Sequence, residues 1–190
     1  MTEPTLYDIV DEGDQVVGQA TKEKLHTEGI LHRGVNVLFY TKSGMVILQR
    51  RAANKSTFPN MLDVTVGGHV DAGETYGQAA LKEVTEETGL TLTTADLEFL
   101  IKVRQSNKDA TTGTVSNYFC VVYAFNYEAG EAELRIESGK AAGFVARPIE
   151  EILALTKETA ADNSPTLYQE SYRPVWEKLL ELANTSSLQK

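Results

Sequence analysis

Residues 67–90, GGHVDAGETYGQAALKEVTEETGL, are the stretch that most limits how this chain can fold. Their spacing predicts a helix that ends at Gly89 and carries Glu83, Glu86 and Glu87 within an arc of about 100° near its C-terminus. Negative charge is unfavourable at that end, because the helix dipole favours cations there. The carboxylates lie beside the face predicted to pack on the core, where partial burial strengthens their repulsion. That face consists of Gly77, Ala80, Leu81, Val84 and Thr88.

A hard divalent cation is one way to stabilise such a cluster, and a solvated acidic helix face is the other explanation. Mg²⁺ prefers oxygen ligands and typically binds one or two carboxylates together with substrate phosphates. The Gly67–Gly68 pair before the helix favours a ligand site, because glycine lets the backbone approach a bound group closely. Together these features indicate metal-assisted attack of water on a phosphoryl group.

The formal net charge of −9 at pH 7 argues against a nucleic-acid partner, since such proteins carry a basic face. A phosphorylated substrate is still allowed, because a bound metal and a few local cations can reverse the sign within one pocket. The N-terminus lacks a signal-peptide pattern, and no apolar run reaches the roughly 20 residues that cross a bilayer. Cys120 is the single cysteine, which suits a reducing compartment. We therefore expect a cytoplasmic protein with no membrane partner.

The order of predicted elements indicates an α/β domain with a mixed sheet, because strands and helices alternate between several hairpins. Residues 6–20 predict a hairpin around Gly13–Asp14. Thr21 and Gly29 predict the start and end of a short helix, and two strands joined at 42–44 follow. Further strands are expected in MLDVTVGG at 61–68 and near 96–104, 115–126 and 142–147.

The C-terminal part of the chain predicts two helices. Pro148 and the Ser164–Pro165 pair stand where proline is favoured at a helix start, and Pro174 is expected to kink or split the second helix. The closing stretch NTSSLQK predicts a frayed tail. The predicted division is a hairpin and short helix over 1–30 that belong to the domain, a core over 31–156, and a helical extension with a tail over 157–190.

The stretch from Gly68 to Leu90 resembles the signature of the Nudix hydrolases, G-x5-E-x7-R-E-U-x-E-E-x-G-U, in which U is a bulky aliphatic residue. Lys82 is the one departure, since it stands where the family has arginine. The resemblance implies that this residue braces the helix, and lysine does so only as a point charge. The matching positions are Gly68, Glu74, Glu83, Val84, Glu86, Glu87, Gly89 and Leu90.

This resemblance implies a Nudix fold, an α/β/α sandwich with a mixed β-sheet, and hydrolysis of a phosphoanhydride bond. The implied substrate is a nucleoside diphosphate derivative or another small diphosphate, and the implied cofactor is Mg²⁺ or Mn²⁺. Metal binding is implied for Glu83, Glu86 and Glu87 with the backbone carbonyl of Gly68, and Glu83 and Glu86 are the candidate catalytic groups. Structural roles are implied for Glu74, Lys82 and Gly89.

A cationic cluster precedes the signature in QRRAANKSTFP, residues 49–59. Arg50, Arg51 and Lys55 end a strand and enter a loop that, by the resemblance, passes near the substrate. Since lysine and arginine give phosphate charge-assisted hydrogen bonds, we expect these three to bind the diphosphate. Lys22 is a further candidate, and each of the four can equally be an ordinary surface cation.

A later acid could activate the water, because the position of the general base varies within the family. Glu137, in ELRIESGKAAGF, is the candidate. A solvated loop glutamate has the same pattern, so that explanation stays open.

Residues 26–70 also resemble the branch of the family that contains isopentenyl-diphosphate isomerase. That enzyme builds a second metal site from three histidines and two glutamates, which invites the same interpretation for the three histidines of this chain. Ordinary hydrogen bonding around the pocket is the other explanation. The histidines are His26, His32 and His69.

Two groups that the isomerase needs for carbon protonation are missing here. Gly67 stands where the isomerase has its cysteine, and Ser116 and Tyr118 occupy the region of its later acid. An isomerase-like enzyme is kept as an alternative function because of the resemblance, although these two departures disfavour it.

A non-catalytic module that senses a nucleotide or binds a partner is a third alternative. Such modules are expected to lose signature glutamates, whereas this chain retains them all. The resemblance is compatible with a homodimer. No segment has a recognisable base-binding or sugar-binding pattern, so the sequence does not identify the substrate.

Overall fold

A computed structural model describes residues 4–108 and 112–187. Within these ranges nine strands form one sheet, with helices on both faces. The strands are β1 (Leu6–Val10), β2 (Val16–Thr21), β3 (His32–Tyr40), β4 (Met45–Arg51), β5 (Leu62–Asp63), β6 (Val66–His69), β7 (Glu98–Lys108), β8 (Val115–Asn126) and β9 (Ala141–Pro148). The α-helices are α1 (Lys22–Glu28), α2 (Tyr76–Thr88), α3 (Ile149–Leu153), α4 (Pro165–Tyr168) and α5 (Arg173–Ser187).

Strand β3 lies at the centre of the sheet. Strand β8 pairs with it in parallel, from His32 opposite Tyr118 to Tyr40 opposite Asn126. The other edge of β3 is shared by β1, β6 and β4, all antiparallel. The presence of both pairing directions confirms the predicted mixed sheet.

Alternate residues of β3 build two cores, because successive side chains of a strand point to opposite faces. Val37 and Phe39 pack towards α2, with Val84 of that helix in the same cluster. Leu38 and Tyr40 belong to the other cluster, together with residues of α3, α4 and α5. Helices therefore cover both faces of the sheet, which is the predicted α/β/α arrangement.

The predicted N-terminal elements are confirmed. Strands β1 and β2 pair as an antiparallel hairpin, and Asp14 in its turn has a φ of 60°. Thr21 caps α1 by accepting a hydrogen bond from the backbone of Lys24, and Gly29 ends the helix in the left-handed conformation. Asparagine, aspartate and glycine tolerate that conformation best.

Two predicted elements are divided in the structure. MLDVTVGG forms two short strands, because Leu62 and Asp63 pair with β4 whereas Val66–His69 turn to pair with β3. The predicted last helix is interrupted before Arg173. Pro174 explains this break, since proline lacks the N–H that a continuous helix needs.

The C-terminal helices are part of the main core. Leu167 of α4 and Trp176 of α5 are buried in the same cluster as Leu48 of β4. The first residues of the predicted tail, 184–187, continue α5, and the rest of it lies outside the described residues. Among the helices that the structure describes, none is both long and apolar enough to span a bilayer.

Candidate active site

Helix α2 carries the signature carboxylates into the interior. Its start is fixed by a capping box between Thr75 and Gln78, and Gly89 ends it with a φ of 75°. Glu83 is 7% exposed and Glu87 is 1% exposed. The helix face predicted to pack on the core is therefore wider than the sequence indicated, because these two acids also lie on it. Buried carboxylates of this kind need a compensating charge or hydrogen bonds.

Neighbouring strands hold each buried acid in place. Gln49 of β4 donates a hydrogen bond from Nε2 to Glu87 Oε2 at 2.6 Å, and also contacts the carbonyl of Thr65 at 3.3 Å. The carboxylate of Glu83 packs against Gly68 of β6, where an added Cβ would lie 1.9 Å from Glu83 Oε1. A glycine at position 68 is therefore required for this position of Glu83.

Lys140, which directly precedes β9, is the counter-charge of the two buried acids. Its Nζ lies 2.9 Å from Glu83 Oε2 and 2.8 Å from Glu87 Oε1. Glu137 contributes a third carboxylate 3.8 Å from the same ammonium group. One positive charge thus faces three negative charges, so the site retains a net attraction for cations.

The pKa values of this cluster follow from burial and from these contacts. Burial raises the pKa of Glu87 above its ordinary value, although Lys140 opposes the change. Burial alone would lower the pKa of Lys140, but the contacts with Glu87 and Glu83 raise it above that of a free lysine. Lys140 is therefore fully protonated at neutral pH.

Both acids face a cavity of about 530 Å³, which is within the usual range for small-molecule sites. Lys22, Arg51 and Lys55 also line it. Arg51 is paired with Asp63 at 3.1 Å. Lys22 and Lys55 take part in none of the ion pairs formed among the described residues.

The surroundings of the two unpaired lysines, Lys22 and Lys55, disfavour their positive charge and lower their pKa values. Burial, followed by repulsion from Lys140, lowers the pKa of Lys22. Burial and then Arg51 lower the pKa of Lys55. Because neither ammonium group forms an ion pair with a described residue, the cavity contains groups that attract a cation and groups that attract an anion.

Three residues proposed from the sequence for binding or catalysis do not line the cavity: Arg50, Glu86 and Glu137. Arg50 donates to the carbonyl of Asn60 at 2.8 Å and borders a separate pocket with Arg147 and Glu151. The prediction that it binds diphosphate is not supported, because strand alternation points it away from Arg51. Glu86 is exposed and is not among the cavity-lining residues, so its role stays a prediction.

Lys82 connects the helix to the loop before it. Its Nζ lies 2.6 Å from Asp71 Oδ2 and 2.8 Å from Glu74 Oε2. Burial alone would lower the pKa of Lys82, but the hydrogen bonds that it donates to these two carboxylates raise that pKa. A single ammonium group thus bridges both acids, as expected of a point charge that stands in for arginine.

The three histidines lie together at the edge of the same cavity. Their ligand atoms are all within 4.8 Å of one another, and His26 Nε2 lies 3.0 Å from His69 Nε2. His26 Nδ1 donates to the carbonyl of Val115 at 3.0 Å, and His32 Nδ1 donates to the carbonyl of Ile30 at 2.8 Å.

These contacts define the protonation of the cluster. Burial lowers the pKa of His32 to about 4 and lowers that of His69 as well. His32 is therefore neutral with its proton on Nδ1, so its Nε2 carries a lone pair. That Nε2 is buried and has no hydrogen-bond partner among the described residues.

Part of the cavity lining comes from segments that are distant from α2 in the sequence. Asn107, Tyr118, Pro165 and Thr166 form this part. Asn107 donates to Gln169 Oε1 at 2.8 Å, which fixes the segment after α4 against β7. The chain segment beyond residue 157 thus contributes to the cavity.

The sequence did not identify Lys140 or Gln49. Lys140 is more than 50 residues from Glu83, and a lone lysine in a loop has no distinguishing pattern. Gln49 could have been found from strand alternation, which places it on the same face as Arg51 and opposite Arg50.

A family model described as the NUDIX domain matches residues 30–169. The chain belongs to the Nudix family. The uncharacterized Nudix hydrolase all7351 of Nostoc sp. is 39% identical over 101 residues, which cover 53% of this chain and 60% of that protein. The uncharacterized Nudix hydrolase SCO1686 of Streptomyces coelicolor is 48% identical over 84 residues, covering 44% and 46%.

Similarity to a solved structure extends over nearly the whole Nudix chain. The crystal structure of DR0079 from Deinococcus radiodurans is 28% identical, with a TM-score of 0.65, and the match covers 95% of this chain and 98% of that one. In contrast, this chain spans about half the length of the curated relatives that it matches. The family match confirms the predicted fold.

Nudix hydrolases generally need a divalent metal, and the buried acids of this chain fit one. Glu87 Oε1 is buried, and its partner is the ammonium group of Lys140 at 2.8 Å. Two adjacent buried carboxylates that share a single ammonium group offer the oxygen donors that Mg²⁺ and Mn²⁺ prefer. The residues present therefore fit the cation.

Proposed function

We propose that this protein is a hydrolase that cleaves a phosphoanhydride bond in a nucleoside diphosphate derivative or another small diphosphate. The observation that carries the proposal is the buried pair Glu83 and Glu87, which shares one cavity with the unpaired lysines Lys22 and Lys55. Such a cavity offers oxygen ligands for a cation and ammonium groups for phosphate oxygens.

Glu83 and Glu87 would hold Mg²⁺ or Mn²⁺, with Gln49 orienting Glu87. When bound, this cation supplies positive charge to the phosphoryl oxygens and acidifies a water molecule. Gly68 would contribute its carbonyl, as the resemblance implies. Removal of a residue that hydrogen-bonds to a metal-binding side chain, as Gln49 does to Glu87, commonly lowers metal affinity by about 10- to 100-fold.

The remaining residues would bind the substrate and move its proton. Lys22, Arg51 and Lys55 would bind the diphosphate through charge-assisted hydrogen bonds. Glu86 and Glu137 are the candidates for the group that accepts a proton from the attacking water. Glu137 is favoured by its position 3.8 Å from Lys140 Nζ, at the edge of the carboxylate cluster.

Substitution of one buried acid tests the hydrolase. Glu87→Gln is expected to lower turnover by about 100-fold or more, while the circular dichroism spectrum stays unchanged. Activity is measured with Mg²⁺ and with Mn²⁺ on nucleoside di- and triphosphates, dinucleotide polyphosphates, sugar nucleotides and prenyl diphosphates. Glu181→Gln, which removes an exposed charge from α5, is the matched control.

Wild-type turnover by Glu87→Gln would contradict the metal assignment. Tight binding of a nucleotide by the wild-type protein without any release of product would instead favour the non-catalytic module.

The isomerase-like branch is a second candidate, and the histidine cluster favours it. Three imidazoles with ligand atoms within 4.8 Å of one another match a second metal site. Gly67, Ser116 and Tyr118 disfavour it, because they leave the cavity without the two groups that carbon protonation needs. Incubation with isopentenyl diphosphate in deuterated water separates the two functions, since only an isomerase incorporates the label.

We also propose a cytoplasmic location, because Cys120 is buried and unpaired and a free thiol suits a reducing compartment. A homodimer is a further proposal, based on the family resemblance. Sedimentation of the purified protein at several concentrations tests it.

A further inference from the structure

The backbone fixes Lys140 at the mouth of the carboxylate pair. Its N–H donates to the carbonyl of Glu137 at 3.2 Å, and its own carbonyl accepts a hydrogen bond from Ala52 at 3.1 Å. Arg135, earlier in the same loop, donates to the carbonyl of Thr88 at 3.0 Å. The loop is thus attached both to the end of α2 and to the end of β4, so the base of the Lys140 side chain stays beside the cavity.

The ammonium group of Lys140 and a divalent cation need the same oxygens. Lys140 Nζ is 2.9 Å from Glu83 Oε2 and 2.8 Å from Glu87 Oε1. A magnesium ion binds carboxylate oxygens at about 2.0–2.1 Å. Two cations cannot occupy one such position, because they repel each other strongly in a buried site. Binding of the metal therefore requires Lys140 to move away.

The displaced ammonium group of Lys140 can move towards Lys22 and Lys55 in the same cavity. The flexible side chain of lysine extends four carbons from the backbone, and Lys140 itself lines the cavity together with Lys22 and Lys55. The ammonium group released from the acids would join these two lysines. Three unpaired ammonium groups would then face the same space, which strongly favours a polyanion.

We propose that Lys140 exchanges between two partners: it neutralises Glu83 and Glu87 in the metal-free protein, and it binds the diphosphate of the substrate after a divalent cation has displaced it. This inference rests on the metal site described under the proposed function. It makes Lys140 a substrate-binding residue whose availability depends on the metal.

The exchange couples metal binding to substrate binding. Lys140 competes with the metal for the carboxylates, so it weakens metal binding to the substrate-free protein. Once the metal is bound, Lys140 strengthens binding of the diphosphate. The metal and the diphosphate therefore each increase the affinity of the protein for the other. Coupling of this kind typically changes an affinity by roughly 5- to 150-fold.

Manganese binding tests the competition directly. Free Mn²⁺ is measured by electron paramagnetic resonance during titration of the substrate-free protein. Lys140→Met is expected to bind Mn²⁺ about tenfold more tightly than the wild type, because it has no ammonium group to displace. Lys140→Arg keeps the charge and should retain weak binding.

A substitution far from the cavity serves as the control for net charge. Lys178→Met removes an exposed cation from α5. It should change Mn²⁺ affinity by no more than about twofold, since an exposed charge outside the cavity is screened by solvent and salt.

Diphosphate binding tests the second half of the exchange. Imidodiphosphate, which resists hydrolysis, is titrated calorimetrically into protein saturated with Mn²⁺. Lys140→Met is expected to bind it about tenfold more weakly than the wild type, whereas Lys178→Met should be unchanged. The same substitution is thus expected to strengthen binding of Mn²⁺ and to weaken binding of imidodiphosphate, whereas loss of structure would weaken both.

Chemical labelling of the wild-type protein makes the test independent of any variant. Acetylation of Lys140 is followed by mass spectrometry. It should become faster when Mn²⁺ is added and slower again when imidodiphosphate is added, with Lys178 as the internal reference. An unchanged labelling rate would overturn the exchange even if Lys140→Met fails to fold.

The outcomes separate this inference from the proposed function. Equal Mn²⁺ affinity of the wild type and Lys140→Met would overturn the exchange but leave the metal site in place. If neither the wild type nor Lys140→Met binds Mn²⁺, the metal site itself is wrong and both proposals fall.

Discussion

Gly68 shows how one position can control the geometry of a metal site. The carboxylate of Glu83 fills the space that a side chain at position 68 would occupy. The signature glycine is therefore explained by the glutamate that follows it on α2, because any larger residue would move that carboxylate away from its partner Glu87.

Substitution of this glycine is a sharp test. Gly68→Ala is expected to weaken Mn²⁺ binding by about tenfold or more, because the new Cβ would lie 1.9 Å from Glu83 Oε1. Isothermal titration of the purified variant gives the affinity. Gly18→Ala is the matched control, since its Cβ would meet only Ile9 Cδ1, at an ordinary 3.7 Å. Equal losses in both variants would refute this explanation.

At single residues, only part of what the signature implied lies in the cavity: Glu86 is exposed and outside the lining, so its role stays a prediction. Glu83, Glu87 and Gly68 lie together in the cavity as the resemblance implied. The remaining contacts depend on tertiary structure, because Gln49 and Lys140 reach the acids only after β4 and the loop before β9 have packed around α2. No local pattern marks such residues in a sequence.

Helix α2 depends on the loop that precedes it. Lys82 connects the first half of the helix to Asp71 and Glu74, and the capping box closes its first turn. The loop thus holds the helix in the orientation that brings Glu83 and Glu87 into the cavity.

Removal of this connection should destabilise the fold. Lys82→Met is expected to lower the free energy of unfolding by about 1 kcal/mol, because two partly exposed ion pairs are lost. Lys82→Arg should match or exceed the wild type, since a guanidinium can bind both acids. Urea unfolding provides the measurement. A Lys82→Met protein as stable as the wild type would show that the two contacts contribute nothing.

Element boundaries were predictable where a single residue determines them. Thr21, Gly29 and Gly89 mark helix ends in the sequence and in the structure. The division of MLDVTVGG was not predictable, because it depends on which strands lie beside it: β4 pairs with its first part and β3 with its last part.

At the scale of the whole molecule, the cavity of about 530 Å³ is lined by residues from the N-terminal hairpin, the central sheet and the C-terminal helical segment of the described chain. Tyr7, Asn36 and Thr166 all line it, and Asn36 also donates a hydrogen bond to the hydroxyl of Tyr172 at 2.7 Å. We propose that residues 1–30, 31–156 and 157–190 form a single folding unit, since the outer segments complete the site built by the middle one.

The buried histidines predict how global stability depends on pH. The pKa of His32 falls from 6.5 in the unfolded chain to about 4 in the folded protein. Between these values the unfolded chain binds a proton that the folded protein does not. The contribution of His32 is therefore full above pH 6.5 and is lost as the pH falls towards 4. Each pH unit costs about 1.4 kcal/mol in this window.

A non-titrating variant isolates this contribution. His32→Asn retains a donor for the carbonyl of Ile30, so the difference in unfolding free energy between variant and wild type should shift by about 2 kcal/mol in favour of the variant from pH 7 to pH 5. Denaturant unfolding at both pH values gives the difference. Titrating groups that do not contact His32 cancel in this comparison. A constant difference would mean that His32 is not held neutral by burial.

The parallel pairing of β3 with β8 affects how the protein is made. The paired residues Tyr40 and Asn126 are 86 positions apart, which at ordinary translation rates means a delay on the order of ten seconds. During that interval β3, which is apolar along most of its length, has left the ribosome but lacks β8 as a partner on one edge. Such strands associate readily with one another, so efficient synthesis of this protein should benefit from chaperones that shield the emerging chain.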